Sequence, residues 1–246
     1  MTLSKILKTF RHTLQSGPEY TRYVIAEVLT RLIYKPYKFS EFGRVFLNDA
    51  RFLQYHDRYV SKDNYRSLDR KYTLDQLMQL AITVPGDTAE CGAYQGASSL
   101  LICQRIAGLK KKHHAFDSFE GLSSPSTEDG SYWTKGDLAT DEQFIRDRLK
   151  PYNFVAYHKG WIPDTFQRVQ SKIFCFVHID VDLFQPTLDS LRFFYPKMNA
   201  GGVILCDDYG FSTCPGAKKA MDTFFGAKNE PIIHLTTGQG LVIKSA

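Results

Sequence analysis

Residues 178–210 read HIDVDLFQPTLDSLRFFYPKMNAGGVILCDDYG. Two apolar runs, KIFCFVHID (172–180) and GGVILCDD (201–208), each end in acid, and PTLDSLRFFYPKM (186–198) between them has helical spacing. A buried strand, a helix and a second buried strand in that order make a βαβ unit, whose strands run parallel through a right-handed crossover. Asp180 and Asp182 then sit at the carboxyl end of one strand, and Asp207 and Asp208 at the end of the next. Neighbouring strands lie about 4.8 Å apart, so these acids converge. Carboxylates there are costly unless a positive or hydrogen-bonding group faces them, and mutual repulsion raises their pKa values unless a cation neutralises them. An oxygen-only set selects Mg²⁺, Ca²⁺ or Mn²⁺. Asp182 has a second reading, as a cap for the helix that begins near Pro186.

The same alternation extends outward. YTLDQLMQLAITV (72–84) is an amphipathic helix, and GDTAECGAYQG (86–96) a short strand with a glycine turn. ASSLLICQRIAG (97–108) is a helix stopped by Gly108, and HHAFDSF (113–119) a strand. Residues 119–140 form a long polar loop carrying Tyr132 and Trp133. A helix (DEQFIRDRL), a strand (FVAYHKG) and a helix (PDTFQRVQ) follow, and after the opening stretch PGAKKAMDTFFGAK is a further helix. PIIHLTTGQGLVIK (231–244) reads as a hairpin that adds an antiparallel strand. The fold class is therefore α/β, with one mostly parallel sheet. Such sheets bind ligands beyond the carboxyl ends of their strands.

At those ends, Glu90, Gly92 and Gly96 form an E-x-G-x-x-x-G turn. It lacks the lysine of a phosphate loop, and its acid suits a cationic or zwitterionic ligand better than a pyrophosphate. Asp117, about twenty residues past that turn, is placed to grip a ribose diol; it or Ser118 could equally cap a turn. His158, Gly160 and Trp161 are placed to flank an adenine ring.

The chain has 246 residues, 43% of them hydrophobic, enough for one sizeable core. Its five cysteines form no C-x-x-C pair, which reads as reduced, buried thiols. The net charge is +5, and residues 1–40 hold seven basic against two acidic residues, the whole excess. The remainder carries no nucleic-acid footprint. Leu3, Ile6, Leu7, Phe10 and Leu14 recur at helical spacing among Lys5, Lys8 and Arg11. A basic amphipathic helix of this kind suits an anionic membrane surface, a docking face or a dimer arm. No apolar run reaches the roughly 18–20 residues of a membrane span, and no secretory leader is apparent, so a cytoplasmic protein, membrane-peripheral at most, is expected. Residues 1–70 read as a helical extension or cap and 71–246 as the catalytic domain.

Five motifs occur in order: ECGAYQG (90–96), DSFEGL (117–122), KGWIPDT (159–165), HIDVDLF (178–184) and GGVILCDDY (201–209). Together they resemble the TylF (macrocin O-methyltransferase) family of S-adenosylmethionine-dependent enzymes over roughly residues 70–246. The chain departs from the usual pattern at Cys91, Tyr94-Gln95 and Val181. The resemblance implies a class I methyltransferase Rossmann-like sheet of seven strands, mostly parallel with the last antiparallel. It implies S-adenosylmethionine bound by Glu90, Gly92, Tyr94, Gly96, Ser98, Asp117, Ser118, Gly160, Trp161 and Asp180. It also implies Mg²⁺ or another divalent cation on Asp180, Asp207 and Asp208, and a small-molecule or glycan acceptor with a free hydroxyl, most simply a sugar. Asp180 is the expected proton acceptor and catalytic residue, and the 119–140 loop the expected lid and acceptor contact. A homo-oligomer is compatible with this reading. Two rivals remain at this point. One is a D-x-D glycosyltransferase using Mn²⁺ and a nucleotide-sugar; the other is a methyltransferase-like module that binds without catalysing.

Overall fold

The computed structural model describes residues 17–33, 42–60 and 68–246. The helical reading of residues 1–14 lies outside them. The chain forms two compact units, residues 1–53 and 54–246. The first contains helix α1 (Gly17–Ile33) and a 3₁₀ segment, Phe42–Asn48. Along α1, Ile25, Val28, Leu29 and Leu32 recur at the three- and four-residue spacing of one helix side. The division falls inside α2 (Ala50–Tyr59), earlier than the boundary near residue 70 read from the sequence. The reason is local: the Tyr55 hydroxyl donates to the Ala97 carbonyl at 2.7 Å, tying the end of α2 into the second unit.

The second unit alternates as expected: α3 (Leu68–Ala81), β1 (Asp87–Cys91), α4 (Ala97–Ile106), β2 (His113–Asp117), α5 (Glu142–Leu149), β3 (Val155–Lys159), β4 (Phe174–Ile179), α6 (Phe184–Phe194), β5 (Met198–Cys206), α7 (Pro215–Phe225), β6 (Ile233–His234) and β7 (Gly240–Ile243). The sheet order is β3-β2-β1-β4-β5-β7-β6. The pairs among β1 to β5 are parallel, and β7 runs antiparallel between β5 and β6. Strand order reverses between β1 and β4, which puts a crevice at their carboxyl ends. Residues 164–169, read as a helix, adopt a 3₁₀ turn instead.

Strand alternation sorts the side chains. Ala89, Cys91, Val177, Ile179, Ile204 and Cys206 join one apolar cluster with Leu191 and Phe194 of α6 and Ala217 and Met221 of α7. Phe116, Phe166 and Phe194 pack edge to face with ring centroids 4.9–5.8 Å apart. Each fully buried ring of this kind contributes on the order of 2–3 kcal/mol. The intervening positions point to the other side of the sheet, where Glu90 and His178 are register partners on adjacent strands. All five cysteines are buried, and none forms a disulfide.

Candidate active site

The turn after β1 is shaped by its glycines. Gly92 has φ +84°, and a Cβ there would stand 1.8 Å from the Asp180 carbonyl oxygen. The turn is that close because the Asp180 N–H donates to the Cys91 carbonyl at 2.9 Å. Tyr94 also takes positive φ, at 46°, a strained geometry that persists only where its surroundings impose it. The imposing group is Asp117, whose carboxylate accepts from the N–H groups of Tyr94 (2.7 Å) and Phe119 (2.6 Å). Burial raises the Asp117 pKa.

These turns open on a cavity of about 690 Å³, within the usual range for small-molecule sites. Gly92, Tyr94, Ser98, Asp117, Ser118, Gly160, Trp161, Asp180, Asp207 and Asp208 all line it. Gly96 does not: its φ of +78° starts α4, and it abuts Ile145. His158 is turned away, stacked between Phe116 and His114. Glu90 reaches the cavity wall, but its carboxylate differs from expectation. It accepts from Ser99 Oγ and pairs with His178 Nδ1 at 2.9 Å, and the residue is 1% exposed. The carboxylate is thus engaged in an internal pair with His178 while the residue lines the cavity.

That pair continues to the acids. His178 Nε2 lies 3.3 Å from Asp207 Oδ1. Burial alone would depress the His178 pKa, yet Asp207 and Glu90 outweigh it and raise it to about 10. Asp207 also accepts from Gln239 Nε2 at 2.6 Å and is paired with the Arg70 guanidinium. Burial would raise its pKa, but Arg70, Lys71 and His178 hold it well below the usual carboxylate range. Its neighbours go the other way. Burial and then Asp207 raise Asp180; burial and then Asp180 push Asp182 up to about 7; burial and then Asp182 raise Asp208.

Asp182 is not the cap of α6. It sits at φ +59° with Cys214 Sγ 3.4 Å from its Oδ1 and its own N–H 3.1 Å from Asp208 Oδ2. The cap comes from the long loop: Asp129 Oδ1 accepts from the Phe184 N–H at 2.6 Å. That carboxylate also accepts from Ser126, so the loop is pinned at its middle. Trp133, further along, lines the cavity and donates to Cys214 Sγ at 3.3 Å.

The set fits a hard divalent cation in its chemistry. Three buried or half-buried carboxylates, Asp180, Asp207 and Asp208, come together from two strand tips, and Asp180 and Asp208 carry raised pKa values that a cation would relieve. Ligand atoms of His178, Asp180 and Asp207 lie within 4.8 Å of one another, as do those of Asp182, Asp208 and Cys214. Sequence reasoning missed Arg70, Lys71 and Gln239. They are remote in the chain and carry no motif, so nothing distinguished them from surface residues.

Comparison with known proteins agrees with this geometry. The macrocin O-methyltransferase (TylF) family model matches residues 68–237, more than half of the chain. The chain belongs to the TylF family. It is 29% identical over 163 residues to demethyldecarbamoylnovobiocin O-methyltransferase of Streptomyces niveus, covering 57% of this chain and 58% of that protein. It is 26% identical over 152 residues to the 8-demethyl-8-(2,3-dimethoxy-α-L-rhamnosyl)-tetracenomycin-C 4′-O-methyltransferase of Streptomyces olivaceus, covering 56% and 58%. The match thus spans 58% of the length of these curated relatives. In fold it superposes on the calicheamicin methyltransferase CalS11 with a TM-score of 0.65 at 16% identity, over 92% of this chain and 93% of that one. TylF membership sets the D-x-D glycosyltransferase reading aside. Among the described residues no helix is long and apolar enough to cross a membrane.

Proposed function

We propose that the protein is an S-adenosylmethionine-dependent O-methyltransferase acting on a sugar hydroxyl of a glycan or glycosylated small molecule, assisted by a divalent cation, most simply Mg²⁺. The carrying observation is that one cavity joins the glycine turn and Asp117 to Asp180, the most open of the strand-tip carboxylates, with its side chain 26% exposed. The names of the relatives, one of which methylates a rhamnosyl group, support a sugar acceptor.

In this reading Asp117 accepts the ribose hydroxyls, Gly92 lets the backbone approach the cofactor, and Trp161 with Gly160 flanks the adenine. Asp180, Asp207 and Asp208 would hold the cation, which when bound would supply a lowered hydroxyl pKa. Asp180 takes the hydroxyl proton as the methyl group leaves sulfur, so the sulfonium charge is lost as the ether forms. Trp133 and Tyr132 in the cavity lining give a sugar ring an apolar face to lie on, and positioning donor and acceptor together supplies the remaining rate. The apolar and basic residues of the first 40 positions suit peripheral contact with an anionic surface.

The test pairs calorimetry with a transfer assay on a panel of glycosylated acceptors. Asp180→Asn is expected to bind S-adenosylhomocysteine within about threefold of the parent while transfer falls by roughly 10²–10⁴. Full transfer in excess EDTA would remove the cation from the mechanism, and absence of S-adenosylhomocysteine binding would remove the function.

A further inference from the structure

Two cations already sit on the carboxylates assigned to the metal. Arg70 Nη2 is paired with Asp207 Oδ2, lies 3.1 Å from the Asp207 carbonyl and 3.4 Å from Asp208 Oδ1. Its guanidinium also lies over the Phe211 ring, 4.4 Å from the centroid. The next residue, Lys71, places Nζ 3.8 Å from Asp180 Oδ2 and donates to Ser98 Oγ at 2.6 Å. Both come from the first turn of α3, and both line the cavity. All three carboxylates therefore have a cationic side chain against them, and Arg70 is only 9% exposed. Burying a long, charged side chain this deeply is costly unless it meets opposite charge, and Asp207 and Asp208 supply that charge.

We propose that Arg70 and Lys71 are built-in counter-cations that hold the strand-tip carboxylates in register and compete with the divalent ion for the same oxygens. The inference rests on the metal-assisted reading above. A guanidinium and a divalent cation cannot share Asp207 and Asp208 at contact distance in a poorly solvated pocket without strong repulsion. Entry of the ion therefore requires Arg70 to leave Asp207, and Asp207 keeps Gln239 and His178 as partners when it does. Retreat along the Phe211 face keeps the guanidinium on an aromatic surface that favours cations. The device makes the ion exchangeable, and it links metal occupancy to the first turn of α3, which borders the cavity. Lys71, at a longer distance from a more open carboxylate, exerts the weaker effect.

The test is a Mn²⁺ titration of the full chain, read by electron paramagnetic resonance of free Mn²⁺ and by calorimetry, for the parent, Arg70→Gln, Arg70→Lys and Lys71→Gln. S-adenosylhomocysteine binding on the same samples checks the fold. Arg70→Gln is expected to bind Mn²⁺ about tenfold tighter or more, Lys71→Gln about threefold tighter, and Arg70→Lys to stay near the parent. Mn²⁺ affinity in Arg70→Gln equal to or weaker than in the parent overturns the competition and leaves the metal reading standing. No Mn²⁺ binding by any of the four proteins, with S-adenosylhomocysteine still bound, overturns both. Should Arg70→Gln fail to bind S-adenosylhomocysteine, Lys71→Gln decides: unchanged Mn²⁺ affinity there overturns the proposal.

Discussion

Gly92 and Gly108 share a backbone conformation and differ in what surrounds them. Both have φ just above +80°, but a Cβ at Gly92 meets the Asp180 carbonyl at 1.8 Å while one at Gly108 meets nothing within 4 Å. Gly108→Ala should therefore cost about 1–2 kcal/mol, the left-handed penalty alone, and Gly92→Ala more than about 4 kcal/mol, as read by urea unfolding. His113 gives a pH-dependent counterpart. It is fully buried between Thr88 Oγ1 and Ser99 Oγ, each 3.0 Å away, and burial lowers its pKa to about 4. Between that value and the roughly 6.5 of an unfolded histidine, only the unfolded chain takes the proton. Its contribution is thus whole above about pH 6.5 and is lost as pH falls toward 4. The stability advantage of the parent over His113→Asn should narrow by on the order of 2–3 kcal/mol between pH 7 and 4. Comparing two proteins cancels what the carboxylates contribute; an unchanged gap would show that His113 is not held neutral. At this scale the positions of Gly92, Asp117 and the four strand-end aspartates beside one cavity were legible, because strand ends and turns leave such residues few alternatives, whereas Gly96 and the Glu90 carboxylate lie elsewhere than expected. His178 and Arg70 were not legible, since their roles depend on partners 88 and 137 residues away.

The elements were readable wherever apolar periodicity was strong, as in β4, β5, α6 and α7. They were less so where tertiary partners decide. Residues 164–169 close as a 3₁₀ turn, and β5 begins at Met198, three residues before its glycines. The 119–140 loop shows the same limit: its length suggested a lid, but its middle is an anchor. Asp129→Ala, which removes the cap of α6 and the partners of Ser126, should lower stability by about 1–2 kcal/mol in thermal unfolding. Trp133→Ala leaves that anchor in place. It should raise the acceptor KM about tenfold or more with S-adenosylhomocysteine affinity unchanged; an unaltered KM would take the loop out of acceptor choice.

For the whole chain, the alternation of strands and helices led to a mostly parallel α/β sheet, and the resemblance of five ordered motifs led to the family and its seven-stranded topology. The extent of the second unit was less visible. Residues 54–70 lack periodicity, yet Tyr55 and Arg70 both reach into it. Removal of residues 1–53 should leave a folded protein that binds S-adenosylhomocysteine within about threefold of the full chain, since the remaining unit holds the complete sheet and cavity. Loss of binding would overturn the expectation that the second unit folds and binds by itself.

The position of β7 also bears on how the molecule is born. β5 is flanked by β4 on one side and, on the other, by a strand that begins only at Gly240, and Gln239 beside it donates to Asp207. A nascent chain therefore emerges from the ribosome with its central acids made but one edge of β5 bare. It can close that edge only once the last hairpin is free of the exit tunnel.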